Sequence, residues 1–151
     1  MTLRLRNTLG GALEEFRPLD PPNVRLYSCG PTVYAPSHVG NFRSFLFADV
    51  LRRYLGWLGY QVTWVMNITD VDDKIIRDAA RAGVAIGELT AAHEATFRTD
   101  LARLRMMAPD VLPRATEHID EMATLIGTLL EKDHAYRTRS EERRVGKECR
   151  L

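Results

Sequence analysis

The residues best suited to chemistry lie in one short stretch, His38-Val39-Gly40-Asn41, between a predicted strand and a predicted helix. His38 and Asn41 can each donate a hydrogen bond to a phosphate oxygen, and their spacing is about one helical turn. Gly40 has no side chain, so a flat base or a phosphate can approach the backbone closely. The stretch therefore suggests a nucleotide site. A four-residue pattern is weak evidence, and the alternative is a loop in which His38 only caps the helix and Gly40 only permits a turn.

Such a site needs a scaffold, and the flanking sequence predicts one. Residues 24–29 alternate as a strand does and run into Gly30-Pro31, a pair that interrupts regular structure. A helix that ends near Gly59 is predicted next, and residues 60–66 then read as a second strand, parallel to the first. Ligands bind beyond the carboxyl ends of such strands, where helix N-termini favour anions. The apolar stripe of the helix comprises Phe47, Val50, Leu51, Tyr54, Leu55 and Leu58.

A second helix is predicted after the second strand. Thr69 or Asp70 can cap it, and Gly83 can end it. Its first turn is acidic, which stabilises a helix N-terminus without any ligand; a magnesium role for Asp70, Asp72 and Asp73 has no specific spacing behind it. The buried side is expected to comprise Ile75, Ile76 and Ala79.

Two more helical stretches follow, over residues 86–107 and 116–132. The prolines between them, Pro109 and Pro113, are expected boundaries. The apolar face of the last helix comprises Ile119, Met122, Ile126 and Leu129.

Length, composition and charge exclude few classes of protein. The 151 residues are about the length of one domain, so one sizeable core is expected. With 45% hydrophobic residues, 27% charged residues and a formal net charge of +1, the chain has no bulk basic signal for nucleic acid. It contains no apolar run near the roughly eighteen residues that cross a bilayer, and residues 1–7 lack the core of a signal peptide. A cytoplasmic protein without a membrane contact is therefore expected.

The two cysteines are Cys29 and Cys149. A disulfide between them is not expected in a reducing compartment. Taken alone, a single cysteine at a strand end is more often a small buried apolar residue than a metal ligand.

Four strings taken together resemble those of one family, the cysteinyl-tRNA synthetases of class I. His38-Val39-Gly40-Asn41 resembles the HIGH signature of class I, with Asn41 in place of the second histidine. Residues 27–34 are similar to the family's C-G-x-T-V-Y string, residues 67–75 to its N-I-T-D-[IV]-D-D-K-I string, and residues 113–119 to its P-R-A-T-x-H-I string. The resemblance extends over residues 1 to about 139.

This resemblance implies an incomplete α/β fold of the Rossmann-like type. It divides the chain into a partial catalytic domain over residues 1–110, the start of a helical insertion over residues 111–139, and a non-native tail over residues 140–151. The tail resembles a sequencing adapter translated as codons, and the alternative is a solvated charged segment. The second class I signature, K-M-S-K-S or a close variant, does not occur in the sequence. The chain is therefore expected to be an N-terminal part that is inactive alone.

The resemblance also implies roles for individual residues. His38 and Asn41 would stabilise phosphate charge while cysteine and ATP form cysteinyl-adenylate, although Asn41 cannot donate a proton as a histidinium can. Cys29 would bind a zinc ion that selects the thiol of cysteine over the hydroxyl of serine. The other zinc ligands would lie downstream of residue 139, so His93, His118 and His134 are not assigned to the metal. The implied ATP site comprises Pro31, Thr32, Val33, Tyr34, His38, Val39, Gly40 and Asn41, and the implied cysteine site Cys29, Gly30 and Thr69.

The implied partners are L-cysteine, ATP with Mg²⁺, and tRNA(Cys), and the complete protein is expected to be a monomer. Two alternatives stay open at this point. One is a cysteine ligase that uses the adenylate to acylate an amino sugar in the synthesis of a low-molecular-weight thiol. The other is a nucleotide-binding module without catalysis.

Overall fold

A computed structural model describes residues 3–137 and divides the chain after Glu117 into two compact units. Within the described residues, the first unit contains four strands, three α-helices and most of a short 3₁₀ helix, and the second contains one α-helix. The strands are β1 (Arg4–Arg6), β2 (Leu13–Glu15), β3 (Asn23–Ser28) and β4 (Gln61–Met66). The helices are α1 (Val39–Trp57), α2 (Asp73–Ala82), α3 (Ile86–Arg103) and α4 (Ile119–Glu131), with the 3₁₀ helix at Ala115–His118.

The centre of the first unit is the predicted βαβ arrangement. β3 and β4 pair in parallel, from Asn23 opposite Gln61 to Ser28 opposite Met66, with α1 between them in the sequence. The α/β fold class is confirmed. The antiparallel pair of β1 and β2 lies ahead of this unit, and the sequence pattern did not predict it.

An extended segment that sequence reasoning did not predict lies along the free edge of β4. Met66 N–H donates to the carbonyl of Val111 at 3.0 Å, and Ile68 N–H donates to that of Pro113 at 2.8 Å. The bridges are parallel, so residues 110–114 act as a short third strand. The side chain of Asp110 fixes the start of this segment, since its carboxylate accepts from the backbone N–H of Trp64 at 2.7 Å.

The core lies where β4 meets α1 and α3. Trp64, Met66 and Ile68 are fully buried, and they share one cluster with aromatic rings from the two helices. The ring of Phe97 on α3 lies 6.0 Å from that of Phe42 and 5.4 Å from that of Phe45 between centroids. This packing holds α1 against the sheet at the end that carries His38.

The buried face of α1 differs from the predicted stripe. Phe47 and Val50 are 69% and 55% exposed, whereas Phe42, Phe45 and Ala48 are buried. The prediction of the helix is confirmed, and the C-terminal part of the predicted face is buried at Leu55 and partly buried at Leu51, Tyr54 and Leu58, but the prediction is wrong for Phe47 and Val50. Apolar residues occupy more than one side of this helix, and only packing against β4 and α3 selects which side is covered.

The predicted end of the second helix is confirmed, but its predicted N-cap is wrong. Gly83 ends α2 with φ of 67°, a left-handed conformation that glycine adopts without strain. The N-cap is Asp72, whose carboxylate accepts from Ile75 N–H at 2.7 Å, rather than Thr69 or Asp70. Ile75 and Ala79 are buried as predicted, but Ile76 is 48% exposed.

The two later helices are shorter than predicted. α3 ends at Arg103, because residues 105–107 turn back onto α1: Arg53 donates to the carbonyl of Arg105, and Met107 N–H donates to the buried Asp49. α4 begins at Ile119 after the 3₁₀ helix and has no buried residue. The face predicted for it is therefore not a buried face in the described residues.

No helix within residues 3–137 is long and apolar enough to cross a membrane. The tail prediction for residues 140–151 lies outside the described residues.

Candidate functional site

A pocket of about 380 Å³ opens beyond the carboxyl end of β3 and against the start of α1. Eight of the eleven predicted site residues line it. These are Cys29, Gly30, Pro31, Thr32, Tyr34, His38, Gly40 and Asn41. The other three do not line it: Val33 is buried in the core, Val39 is 86% exposed, and Thr69 is paired with the lining residue Thr32.

His38 has a structural task that leaves one ring nitrogen available. It is the N-cap of α1, and its Nδ1 accepts from the N–H of Gly40 at 3.0 Å. An Nδ1 that accepts has no proton, so the neutral ring is protonated at Nε2. Nε2 makes no hydrogen bond with any residue from 3 to 137. The capping alternative and the ligand hypothesis are therefore compatible, because they use opposite edges of the ring.

Asn41 is arranged in the same way. Its Oδ1 accepts from the backbone N–H of His38 at 3.1 Å, which completes a capping box. The Nδ2 group, with two N–H donors, has no acceptor in the described part of the chain. Asn41 can therefore still donate a hydrogen bond, but it is uncharged.

Gly40 is required by the position of the His38 ring. A Cβ atom at Gly40 would lie 2.8 Å from Cε1 of His38, which is closer than ordinary contact. Any side chain there would displace the ring from its capping position.

Gly30 is required by an even closer approach. A Cβ atom there would lie 1.8 Å from the backbone oxygen of Asn67. The N–H of Gly30 also donates to Oδ1 of the same asparagine at 3.2 Å. The loop after β3 therefore rests directly on the segment after β4, and only glycine fits the gap.

Cys29 is an exposed free thiol on the wall of the pocket. It is not the buried apolar cysteine of the alternative interpretation. Residues 3–137 contain no group of three or more His, Cys, Asp or Glu side chains that could hold a metal ion. Within these residues Cys29 is the one cysteine, and it belongs to no such group.

The strand-like pairing continues past β3 and β4. Val33 N–H donates to the carbonyl of Thr69 at 3.0 Å, and Thr69 N–H donates to that of Pro31 at 3.0 Å. Beyond this pair, the ammonium group of Lys74 lies 3.4 Å from the ring centroid of Tyr34, in cation–π geometry. Sequence reasoning assigned no role to Lys74, since only the fold brings it to the ring of Tyr34.

Two of the aspartates after β4 are engaged in structural hydrogen bonds. Asp70 is buried and accepts from the backbone N–H and the hydroxyl of Thr116, and Asp72 caps α2. Asp73 is exposed in the first turn of α2. Within residues 3–137 these three carboxylates are not part of any group of three or more side chains that could hold a metal ion.

Sequence reasoning also missed Glu94, a buried carboxylate that is bonded to Arg98 and Arg114 at 2.7 and 2.8 Å. Burial alone would raise the pKa of Glu94, but the hydrogen bonds and positive charges of Arg114 and Arg98 outweigh it and lower the pKa below its ordinary value. The same pairing raises the pKa of Arg114. The spacing of Glu94 and Arg98 was the available signal, although it suggests only a surface pair.

Comparison with known proteins decides the family. The family model of the class I (C) tRNA synthetase catalytic domain matches residues 15–148. The chain belongs to this family. A cysteine–tRNA ligase of Koribacter versatilis is 51% identical over 138 residues, which are 91% of this chain and 28% of that protein. Those of Rhodospirillum rubrum and Aquifex aeolicus are 51% and 48% identical over 136 residues, with 90% of this chain covered in each case.

These relatives are much longer than the chain. The match covers 30% of the Rhodospirillum rubrum protein and 28% of the Aquifex aeolicus protein. The chain thus spans less than a third of the length of the curated relatives that it matches.

Proposed function

We propose that this chain forms one wall of the site at which a cysteine–tRNA ligase joins L-cysteine to ATP. The observation that supports this most directly is the pocket of about 380 Å³ beyond β3, whose lining includes the exposed Cys29 and two side chains with free N–H groups, those of His38 and Asn41. In the proposed reaction a carboxylate oxygen of cysteine bonds to the α-phosphorus of ATP while the bond to pyrophosphate breaks. A hydroxyl group of tRNA(Cys) then bonds to the carbonyl carbon of the adenylate, the bond from that carbon to the phosphate oxygen breaks, and AMP leaves.

His38 and Asn41 are the proposed catalytic residues. Both side chains are held by capping bonds within the first turn of α1, so their free N–H groups need little reorganisation to meet a phosphate oxygen. Together with Gly40 and residues 31–34, they form the proposed ATP side of the pocket. Magnesium would arrive with the phosphates of ATP, since no carboxylate cluster in the described residues is arranged to hold it.

Cys29 is the proposed zinc ligand of the cysteine side, with Gly30 and Thr69 nearby. An exposed thiol beside the pocket suits this role, because zinc binds thiolates well and prefers the thiol of cysteine to the hydroxyl of serine. The remaining ligands would come from outside residues 3–137. Cytoplasmic location and a monomeric state stay predictions.

The test is a chimera in which residues 1–137 replace the matching region of the Koribacter versatilis ligase. We expect cysteine-dependent exchange of pyrophosphate into ATP, together with charging of tRNA(Cys). Exchange without charging would instead favour the amino-sugar ligase, and ATP binding without exchange would favour a non-catalytic module. In the same chimera, Cys29→Ser is expected to reduce the zinc content and the preference for cysteine over serine together; unchanged zinc would contradict the assignment of Cys29.

A further inference from the structure

The side chain of Asn67 connects three residues, of which Gly30 lines the pocket and Tyr27 and Thr69 do not. Its Oδ1 accepts from the hydroxyl of Tyr27 at 2.9 Å and from the N–H of Gly30 at 3.2 Å. Its Nδ2 donates to Oγ1 of Thr69 at 3.0 Å. One amide group thus joins the end of β3 to the segment after β4, across 37 residues of sequence at Gly30.

The positions that Asn67 fixes are the ones that the proposed cysteine side needs. Gly30 follows Cys29 directly, so a bond to the Gly30 N–H fixes the peptide group that carries the Cys29 carbonyl. Thr69 accepts a hydrogen bond from Asn67, which leaves its own hydroxyl proton without an acceptor in the described residues. A hydroxyl with a free proton and a fixed oxygen can donate to one ligand atom in a defined direction.

The backbone of Asn67 sets the same spacing sterically. Its carbonyl oxygen occupies the space that a side chain at Gly30 would need, at 1.8 Å from the Cβ position. Asn67 therefore fixes Gly30 in two ways: its side chain accepts a hydrogen bond from the Gly30 N–H, and its carbonyl oxygen limits how closely Gly30 can approach.

We infer that Asn67 is a positioning residue for the cysteine side of this site: it sets the distance between the Cys29-Gly30 end of β3 and the Thr69 segment. The inference rests on the proposed function. It assigns Asn67 no contact with substrate, since Asn67 does not line the pocket. A change at Asn67 should therefore alter KM for cysteine and not KM for ATP, because the His38 and Asn41 capping bonds are independent of Asn67.

Three variants separate positioning from general stability. Asn67→Ala removes all the side-chain bonds. Asn67→Asp keeps an acceptor for the Gly30 N–H and so is the conservative rescue. Tyr27→Phe removes the third partner of the same amide but leaves Gly30 and Thr69 in place; Tyr27 is 65% exposed, so little packing is lost.

The first measurement is amide hydrogen exchange by NMR in the complete 151-residue chain. In Asn67→Ala the Gly30 N–H should exchange about tenfold faster, as expected for the loss of one hydrogen bond. The Asn67→Asp and Tyr27→Phe variants should stay within about threefold of the original sequence. The Asn41 N–H, bonded to the carbonyl of His38, is the internal control. Unchanged Gly30 exchange in a folded Asn67→Ala variant would overturn the inference.

The second measurement is steady-state pyrophosphate exchange in the chimera. For Asn67→Ala we expect KM for cysteine to rise about tenfold with KM for ATP within about twofold, and Tyr27→Phe to behave as the unaltered chimera. Equal rises in both KM values, or no rise for cysteine, would overturn the positioning role. An unaltered chimera without exchange activity would contradict the proposed function instead, while the amide-exchange result would still decide whether Asn67 holds the loop.

Discussion

The segments after β3 and after β4 both contain family strings, but they use their polar groups differently. After β3, His38 and Asn41 each spend one polar atom on the α1 cap and keep another free beside the pocket. After β4, the polar side chains that the structure engages, Asn67, Asp70 and Asp72, bond to other parts of the same fold. A family motif can therefore keep polar groups free beside a pocket, or it can use them in hydrogen bonds that hold the fold together.

The largest expected effect concerns the sufficiency of the pocket wall. The 151-residue chain alone should show no cysteine-dependent exchange of pyrophosphate into ATP above background. The free N–H donors of His38 and Asn41 lie on one wall only, and the sequence has no K-M-S-K-S string to hold the phosphates from the opposite side. Measurable exchange by purified residues 1–151 would show that the region after β3 needs no second wall.

His38→Ser in the chimera separates the cap from the N–H donor. Serine is a good N-cap without an N–H group in its side chain, so the free energy of unfolding should change by less than about 0.5 kcal/mol. The ring Nε2–H is lost, and exchange should fall roughly a hundredfold to a thousandfold, as for the loss of a preorganised phosphate donor. Thermal unfolding and exchange are measured on the same sample. A stable variant with full activity would make His38 a cap only.

Glu94→Gln tests the buried ion pairs of Glu94, which lie outside the pocket, so the variant should change the stability of the fold. It weakens the bonds from Arg98 and Arg114 to a nearly buried carboxylate, at an expected cost of about 2 kcal/mol after allowance for the half-exposed arginines. Urea unfolding followed by the fluorescence of the buried Trp64 provides the measurement. The matched control is Asp100→Asn, whose pair with Arg103 is more exposed and should contribute less than about 0.5 kcal/mol.

Acid should lower the free energy of unfolding, because it protonates Asp110 and Glu94. The pKa of Asp110 is held below its ordinary value by the Trp64 N–H bond and the Arg52 guanidinium, and the pKa of Glu94 is also lowered in the fold. Both carboxyls bind protons more readily when unfolded, so their contribution is complete at neutral pH. It is lost as the pH falls below about 4. Between pH 7 and pH 3 the free energy of unfolding should fall less for Asp110→Asn than for the original sequence. An identical dependence on pH for the two proteins would contradict this.

The smallest effect distinguishes two adjacent aspartates. Asp72→Ala removes the N-cap of α2 and should cost about 1 kcal/mol, whereas Asp73→Ala removes only a favourable charge and should cost a few tenths. Urea midpoints of the two variants provide the comparison. Equal costs would mean that the acidic turn, rather than the cap bond, stabilises the helix.

Local patterns in the sequence determined several features before any fold was known. The strand that ends near Cys29, the parallel strand 60–66 and the helix stop at Gly83 follow from side-chain alternation and from glycine chemistry. The strings around His38 and Asn67 determined the family. These features depend on residues close in sequence, or on whole motifs that a family shares.

Only the tertiary structure decided which groups meet. It selected the Phe42 and Phe45 side of α1, paired residues 110–114 with β4, and brought Asn67 under Gly30. It also brought Asp70 into hydrogen bonds with Thr116, so that Asp72 rather than Asp70 caps α2. Each outcome depends on contacts between distant residues, whose partners the periodicity of one segment does not specify. The sequence thus predicted residues of which eight lie around one pocket, and packing decided which of their polar groups stay free.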